Sequence, residues 1–480
     1  MNLSDYASLD GIDLCALIEQ GEVSTVEVTG CAIKAIEKLN PMLNAVVMTN
    51  FDVGRKVAEN AIYNGPLSGV PFLLKDVNVF SHDMPTTFSC RFFDGASPRA
   101  DSDSVVRWRA AGLNILGKTN TPEFAEDFVT ESTWRGPALN PWDLNLTVGG
   151  SSGGAGAAVA SGMVPIAHGT DLGGSIRIPA ACCGVFGHKP TAGLNPSTPY
   201  YAELSSGFNS DHVLTRSVRD SAASLDVTAG PVSGNRYYVT PEVSSYLEAL
   251  DKPVASLRIG LCALTPNGSA VDDRPTAAML ATADILERAG HEIVEYQYPS
   301  DLDIGNWAEI VWMLDICYEL ERRIAEVGRE PAPEELEAFT HYARERVKTT
   351  SAMQYYDARA RAHLCSIKLM QSMEGLDLLL TPALGSDPIA LGSMDSRTAA
   401  FDYDHWCQQG YRFAPFAQVC NLTGQPSASL PVWLPDNPLP SAVQLSGHHR
   451  QDHLLLQVAH YIEQECRWHQ YRPPIWAGDD

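Results

Sequence analysis

The chain has 480 residues, of which 45% are hydrophobic and only 19% are charged, so it can bury a large core and does not have the composition of a disordered protein. Its formal net charge of −24 argues against nucleic acid and against anionic membranes as partners, because both would repel such a surface.

The first part of the chain alternates predicted helices and strands. Residues 7–39 have apolar positions at helical spacing, interrupted at 21–24, where Ser24 is placed to cap the second helix. A strand at 45–49, a helix at 52–63, strands at 69–76 and 113–118, and a helix beginning at Pro122 and Glu123 are predicted next. The strand GVPFLLKD at 69–76 is apolar up to Lys75, which would place a lysine in the interior.

Residues 149–179 contain glycine and serine at a density that an ordinary helix or strand does not tolerate. Two clusters, GGSSGG at 149–154 and GGS at 173–175, predict loops that need positive φ or bare amide groups. Residues 155–161 between them predict about two turns of buried helix. The second cluster would present four successive amides around the Ser175 hydroxyl, as a serine nucleophile beside an oxyanion hole requires.

This glycine-rich stretch has other interpretations. A phosphate-binding loop would need a lysine after the glycines, and a dinucleotide-binding turn built on Gly154, Gly156 and Val159 is a weak match. Tight packing with serines as helix caps explains one cluster easily and two clusters less easily. The residues alone therefore leave the nucleophile and packing interpretations open.

The later part of the chain is predicted to be mostly helical, with a few strands and a loop-rich region up to residue 440. The predicted helices are 215–229, 274–289, 307–327, 332–347, 350–373 and 453–466, and the predicted strands are 257–262, 291–296, 376–384 and 442–447.

Cysteine usage and metal-ligand spacing narrow the class of protein further. The eleven cysteines are an odd number without the short spacings of a disulfide framework, which predicts reduced thiols and a cytoplasmic location. No signal peptide, transmembrane run, H-E-x-x-H motif or C-x-x-C motif is visible, so we predict no metal, no cofactor and no membrane partner.

Several motifs in one order resemble the amidase signature family of serine hydrolases. GGSSGG at 149–154 and GTDLGGSIRIPAACCGVFGHKPT at 169–191 resemble its defining segment, and GVPFLLKD resembles its lysine motif. The resemblance covers nearly the whole chain and is weakest between about 200 and 415. Its further motifs are GKTNTPEF at 117–124, NPWD at 140–143, NLTGQPSASLP at 421–431 and AVQLSG at 442–447.

The resemblance implies a fold and a set of roles. The fold would be one α/β domain over residues 1–480, a large mixed β-sheet covered by helices on both sides, with a signature core at 69–190 and a variable helical region at 300–375 bordering the substrate cavity. The implied roles are Lys75 as base, Ser151 as bridging serine on a cis peptide bond, Ser175 as acylated nucleophile, the amides of Leu172, Gly173, Gly174 and Ser175 as oxyanion hole, and Thr170, Asp171 and Arg177 as loop braces or substrate contacts.

The lysine can act as a base only when it is neutral. Free lysine titrates near pH 10.4, so half neutrality near pH 7.5 needs a pKa shift of about 3 units, which burial can supply. Asp76 would oppose that shift if its side chain faced Lys75. Ser152 is an alternative bridging serine, ranked below Ser151 on the family pattern.

Three side chains are candidates for the substrate pocket. Glu126 and Asp127 follow the TNTPEF motif, where they either face the cavity, favouring an amine-bearing or neutral substrate, or lie on a solvated surface. Within the family the chain most resembles bacterial hydrolases of the aminohexanoate cyclic dimer, in which a cysteine in a helix similar to that of Cys317 lines the pocket.

We therefore predict an amidase that cleaves a small linear or cyclic amide, with carbamates or esters as an extension. The alternatives are the glutaminase subunit of a tRNA-dependent amidotransferase, whose SNLARYDGxRYG-like segment we do not find, and a non-catalytic binding protein. Some family members are dimers, which makes a homodimer an expectation.

Overall fold

The computed structural model describes residues 1–61, 63, 65–302, 304–305, 308–435 and 437–479. Thirteen strands are found in this part of the chain. They are β1 (Val46–Thr49), β2 (Pro71–Lys75), β3 (Asn114–Thr119), β4 (Glu131–Ser132), β5 (Gly136–Pro137), β6 (Ile166–Asp171), β7 (Phe186–Lys189), β8 (Ser210–Thr215), β9 (Arg258–Leu261), β10 (Glu292–Glu295), β11 (Leu378–Pro382), β12 (Ser427–Val432) and β13 (Ser441–Gly447).

Sixteen α-helices are found among the same residues. They are α1 (Leu3–Ser8), α2 (Gly11–Glu19), α3 (Thr25–Leu43), α4 (Phe51–Glu59), α5 (Asp103–Ala110), α6 (Gly153–Ala160), α7 (Arg177–Cys183), α8 (Val218–Thr228), α9 (Tyr246–Ala249), α10 (Asp273–Arg288), α11 (Glu309–Val327), α12 (Ala338–Lys348), α13 (Ala352–Ser372), α14 (Tyr403–Phe413), α15 (Ala417–Thr423) and α16 (Asp452–Cys466).

Eleven of the strands form one mixed sheet in the order β1-β3-β2-β6-β8-β7-β12-β13-β11-β9-β10, and β4 pairs with β5 in a separate ribbon. In the large sheet β2 runs parallel to both β3 and β6, and β9 runs parallel to β10 and β11. The remaining pairs are antiparallel. The predicted mixed sheet flanked by helices is confirmed.

The centre of the sheet is covered on both faces, which explains the unbroken apolar run in β2. All five residues of β2 are buried, as expected for a strand with helices on each side. Leu73 belongs to the core that contains residues of α3 and α6, whereas Phe72 and Leu74 pack on the other face with Trp108 of α5. Because side chains alternate along a strand, Lys75 lies on the same face as Leu73.

Most predicted elements exist within a few residues of their predicted bounds. Ser24 caps α3 as predicted, and Glu27 completes a capping box with it. Ile62 in the helix predicted at 52–63, Trp307 in the helix predicted at 307–327, Asp436 in the loop-rich region and Asp480 lie outside the described residues.

Two predictions of local structure are wrong. The helix expected at Pro122 and Glu123 is a single 3₁₀ turn, Glu123–Ala125, because Phe124 and Ala125 have positive φ values of 51° and 65°. The region before residue 440 is not loop-rich throughout, since it contains α14, α15 and the buried strand β12. None of the described helices has both the length and the apolar character that crossing a membrane requires.

Candidate active site

The site is built at the carboxyl ends of two adjacent parallel strands. Lys75 ends β2, while Thr170 and Asp171 end β6, which pairs with β2 through Phe72 and Leu73. In open α/β sheets this edge is where ligands bind. The segment from 172 to 176 then connects β6 to α7, with Ser175 two residues before the helix.

Lys75 is completely buried and contacts two hydroxyl groups. Its Nζ donates to Ser151 Oγ at 2.8 Å and to Thr170 Oγ1 at 2.9 Å. Ser151 lies two residues before α6, on the face of the sheet toward which Lys75 points, and its peptide bond to Gly150 is cis as predicted.

Ser152, the alternative bridging serine, has other partners. Its Oγ donates to the Thr170 carbonyl oxygen at 3.3 Å and accepts from the Thr170 N–H, also at 3.3 Å. It is therefore bound to the backbone of β6, and the serine in contact with Lys75 is Ser151.

The surroundings of Lys75 favour its neutral form. Burial lowers the pKa of Lys75 to about 7, against the opposing charges of Asp171, Asp211 and Glu126. Asp76 does not oppose this shift, because it accepts from the Thr87 N–H at 2.9 Å and lies 3.6 Å from the Lys118 Nζ.

A carboxylate clamp holds the loop that carries Ser175. Asp171 accepts from Arg177 Nε at 2.9 Å and Nη2 at 2.8 Å, in the bidentate geometry that arginine and carboxylate prefer. Although burial opposes ionisation, Arg177 lowers the pKa of Asp171 well below its usual range. Asp171 also accepts from the Gly174 N–H at 2.9 Å. The bracing role expected for Asp171 and Arg177 has this structural basis.

Two members of the clamp were not predicted from the sequence. Asn421 Nδ2 donates to the Asp171 carbonyl oxygen at 2.7 Å, and Arg177 donates to Asn421 Oδ1 at 2.7 Å and to Gln444 Oε1 at 2.9 Å. Both residues lie in the motifs at 421–431 and 442–447 that were noticed without being given a role.

The amide groups of the loop differ in availability. The Gly174 N–H is bound to Asp171, whereas the N–H groups of Leu172, Gly173 and Ser175 donate to no other group among the described residues. Gly174 has a φ of 119°, a conformation that favours glycine.

Close packing explains most glycines of the first cluster. A Cβ atom on Gly150 would lie 2.6 Å from the carbonyl oxygen of Asp127, and one on Gly154 would lie 2.4 Å from the backbone nitrogen of Asn120. Only Gly149, with a φ of 72°, has a positive φ there. The first cluster thus lets α6 approach its neighbours, and the second shapes the loop before Ser175.

Two cavities meet at Ser175. Both are lined by Ala125, Glu126, Leu172 and Ser175. The first, which we call the apolar arm, is further lined by Phe128, Ile178, Trp312, Trp406, Tyr411 and Gln418. The second, the polar arm, is further lined by Ser151, Thr170, Tyr201, Asn209, Asp315 and Glu319. Ser175 and Ser151 thus share the polar arm, although no hydrogen bond joins their hydroxyls within the described part of the chain.

Of the three residues predicted as candidates for the substrate pocket, two line the arms and one does not. Glu126 lines both arms and Asp127 lines the apolar arm, where Asp127 Oδ1 accepts from Trp406 Nε1 at 3.1 Å. Cys317 lines neither arm, and the charged groups near it are Arg344, Glu321 and Lys348. The expectation for Cys317 is corrected here.

Helix α11 contributes other residues to the cavities. Because α11 turns by about 100° per residue, the side that carries Trp312, Asp315, Ile316 and Glu319 faces the arms and turns Cys317 away. The sequence signal that could have identified this side is the i, i+3, i+4, i+7 spacing of these four residues.

Burial lowers the pKa of both histidines near the site, His168 and His188, which favours their neutral forms. His168 Nδ1 accepts from the Lys75 backbone N–H at 3.2 Å, and burial lowers the pKa of His168 well below its usual value. His188 Nε2 lies 3.3 Å from Asp452 Oδ1. Among the described residues no group of three or more His, Cys, Asp and Glu side chains is arranged to hold a metal ion.

Known proteins resemble this chain over almost its full length. A family model described as "Amidase" matches residues 27–456. The 6-aminohexanoate-cyclic-dimer hydrolase of Paenarthrobacter ureafaciens is 33% identical, over 96% of this chain and 95% of its own length.

Two solved structures agree with this match. The structure of a 6-aminohexanoate cyclic dimer hydrolase complexed with substrate superposes with a TM-score of 0.90 at 32% identity, covering 98% of this chain and 99% of its own. A bacterial aryl acylamidase of the amidase signature family superposes with a TM-score of 0.86 at 25% identity, covering 98% and 99%. The chain therefore belongs to the amidase signature family and is a hydrolase of carbon–nitrogen bonds other than peptide bonds.

Proposed function

We propose that this amidase hydrolyses small linear or cyclic amides through a Ser175–Ser151–Lys75 triad and an acyl-enzyme. The observation that carries the proposal is the 2.8 Å hydrogen bond between Lys75 Nζ and Ser151 Oγ, next to the cavity that Ser151 shares with Ser175. A serine hydroxyl needs a base to remove its proton, and a buried lysine with a pKa of about 7 can act as that base near neutral pH.

In the proposed reaction Ser151 relays the proton. The Ser175 hydroxyl donates its proton to Ser151 Oγ while Ser151 donates its own to Lys75 Nζ, and Ser175 Oγ attacks the carbonyl carbon. Lys75 then returns the proton through Ser151 to the leaving nitrogen as the carbon–nitrogen bond breaks. Water then repeats the cycle on the acyl-enzyme. It gives a proton through Ser151 to Lys75 and attacks the acyl carbon, and the proton returns to Ser175 Oγ as the ester bond breaks, which yields a carboxylic acid and free Ser175.

The oxyanion of the tetrahedral intermediate would be bound by backbone amides. We assign this role to the free N–H groups of Leu172, Gly173 and Ser175, and we assign Gly174 to holding the loop, since its N–H is bound to Asp171. One such donor is typically worth about 3–4 kcal/mol in the transition state.

The apolar arm supports an uncharged acyl group. Apart from Ser175, Glu126, Asp127 and Gln418, its lining side chains are aromatic or aliphatic and would bind an alkyl or aryl chain by burial of apolar surface. The relatives named above act on amides, namely a 6-aminohexanoate cyclic dimer and aryl acylamides. We extend the substrate range to carbamates and esters because acyl transfer to Ser175 would be the same reaction. A glutaminase acting with a partner subunit and a non-catalytic binding protein are the two alternatives.

The test uses the purified chain alone. We expect it to hydrolyse small amides from a panel of amides, carbamates and glutamine, and to form one fluorophosphonate adduct, located on Ser175 by peptide mass spectrometry. Glutamine hydrolysis that requires an added partner would favour the amidotransferase alternative. Neither turnover nor an adduct would favour the binding-protein alternative.

The adjacent serines provide a matched pair of variants. Ser151→Ala is expected to lower kcat at least about 100-fold, because it removes the relay between Ser175 and Lys75. Ser152→Ala is expected to lower kcat less than about tenfold and to cost about 1 kcal/mol of stability, because it removes hydrogen bonds to the Thr170 backbone. Steady-state kinetics and thermal unfolding of both variants check this. A larger kcat loss in Ser152→Ala would show that the relay is misassigned.

A further inference from the structure

The polar arm is lined by three carboxyl groups. They belong to Glu126, Asp315 and Glu319, and none of the described residues that line this arm is a lysine, arginine or histidine. The remaining lining side chains are hydroxyl, amide, aromatic or aliphatic groups. A carboxylate on a substrate would therefore meet charges of its own sign in this arm, and a cation would meet only opposite charges and dipoles.

In the described part of the chain, one of the three carboxyl groups forms an ion pair with a protein cation. Glu319 Oε2 accepts from Arg99 Nη2 at 3.0 Å, and its Oε1 accepts from the Tyr201 hydroxyl at 2.8 Å. Asp315 accepts twice on one oxygen, from the Ser205 N–H at 2.7 Å and the Ser205 hydroxyl at 2.6 Å, and its other oxygen has no hydrogen-bond partner among the described residues.

Glu126 has no partner for its carboxyl group among the described residues, although it lies at the junction of the two arms beside Ser175. Burial, reinforced by the charge of Asp315, raises the pKa of Glu126 to about 8. Because Glu126 is only partly exposed, the cost of removing water from its unpaired carboxyl group is poorly compensated by the protein. The free oxygens of Glu126 and Asp315 are therefore available to a ligand that supplies hydrogen-bond donors.

The position of Ser151 identifies which half of the substrate enters the polar arm. Ser151 and Thr170 line the polar arm and not the apolar arm. Since Ser151 would deliver the proton to the leaving nitrogen, that nitrogen must point toward the polar arm. The acyl group is left with the apolar arm.

We propose that the polar arm binds the ammonium group of a diamine leaving group, so that the preferred substrates are monoacylated diamines, N-(ω-ammonioalkyl) amides. The inference rests on the proposed amidase function and names its substrate class. Hydrolysis of such an amide adds one water across the carbon–nitrogen bond and yields a carboxylate and a free diamine. The ammonium would donate to the free oxygens of Asp315 and Glu126.

A cation bound in this arm would also affect the protonation of Lys75. Burial favours the neutral form of Glu126, and a bound ammonium would favour its ionised form. The ionised Glu126 acts on Lys75 as a negative charge that favours the protonated lysine, which cannot accept a proton. An ammonium bound between Glu126 and Asp315 neutralises that effect and so favours the free amine of Lys75.

The test compares two acetamides that differ at one end. N-acetylputrescine carries a terminal ammonium, and N-pentylacetamide carries a methyl group in its place. We expect kcat/KM of the wild-type chain to be at least about tenfold higher for N-acetylputrescine, the effect of one or two charge-assisted hydrogen bonds. Asp315→Asn should reduce that ratio about tenfold, because the amide can still accept from Ser205 but carries no charge. Glu321→Gln is the matched control on the exposed side of α11 and should leave the ratio unchanged.

The outcomes separate this inference from the proposed function. If N-pentylacetamide is cleaved as fast as N-acetylputrescine, or if Asp315→Asn leaves the ratio unchanged, the ammonium subsite is wrong while the amidase function stands. If no amide of any kind is cleaved, the proposed function itself fails.

An inhibition experiment needs no variant and keeps the inference testable if Asp315→Asn does not fold. Putrescine should inhibit wild-type hydrolysis of a neutral anilide with an inhibition constant at least about tenfold below that of pentylamine. Equal or weaker inhibition by putrescine would overturn the subsite.

Discussion

Replacing Ser175 with alanine is expected to reduce turnover at least about 10⁴-fold, because no other described hydroxyl both lines the two arms and follows the free amides of the loop. The acyl-enzyme cannot form on alanine, so the residual rate reflects only the oxyanion site and substrate binding. Hydrolysis of a chromogenic anilide, followed at saturating substrate, measures the loss.

Two controls accompany this variant. Ser175→Ala should unfold at the wild-type temperature, since Ser175 lies partly exposed in the cavity, and it should form no fluorophosphonate adduct. Ser152→Ala should still be labelled on Ser175. Turnover by Ser175→Ala above about a hundredth of the wild-type rate, or an adduct on another serine, would place the nucleophile elsewhere.

Lys75→Met is expected to lower kcat by about 10²–10⁴-fold, the usual contribution of a general base. Methionine has a similar length and no charge, so it suits a site that is completely buried. The variant should therefore keep the wild-type unfolding temperature and lose only the chemistry. A variant that retains more than about a tenth of wild-type kcat would mean that another group removes the Ser175 proton.

The same residue sets the pH dependence of the wild type. The lysine must be neutral to accept a proton, and burial lowers its pKa to about 7. We therefore expect kcat/KM for a neutral amide to rise tenfold per pH unit below about pH 7 and to level off above it. If kcat/KM instead keeps rising and levels off only near pH 10, the lysine would be solvated, which would contradict the buried geometry.

The sequence was informative where local pattern and chemistry coincide. The apolar run of β2 ending in Lys75 predicted a buried strand, and the alternation of side chains along that strand directs Lys75 toward Ser151. The motifs also indicated the family, the mixed sheet and the cis bond before Ser151. These features depend on residues that are close in the chain or that match a family pattern.

The substrate cavity could not be predicted in the same way. It joins the segment after Glu123 to Gln418 of α15 and to α11 and α14. Helices α11 and α14 lie in the part of the chain where the resemblance is weakest. A helix was predicted at Pro122 and Glu123, but Phe124 and Ala125 have positive φ values that end it after one turn. No local sequence pattern predicts these φ values. Cys317 was chosen by analogy, whereas the orientation of α11 in the fold selects Asp315 and Ile316.

The clamp on Asp171 has a consequence for how the enzyme becomes active during synthesis. Asn421 is 250 residues and Gln444 is 267 residues away in the chain from the clamp residues they contact, Asp171 and Arg177. A ribosome has therefore translated Lys75, Ser151 and Ser175 long before the side chains that fasten the nucleophile loop have emerged. Until then the loop lacks its outer hydrogen bonds, and a nascent chain holds Lys75, Ser151 and Ser175 in an unfinished arrangement. We therefore expect hydrolytic activity to be acquired late in synthesis, and a prematurely terminated chain to be inert.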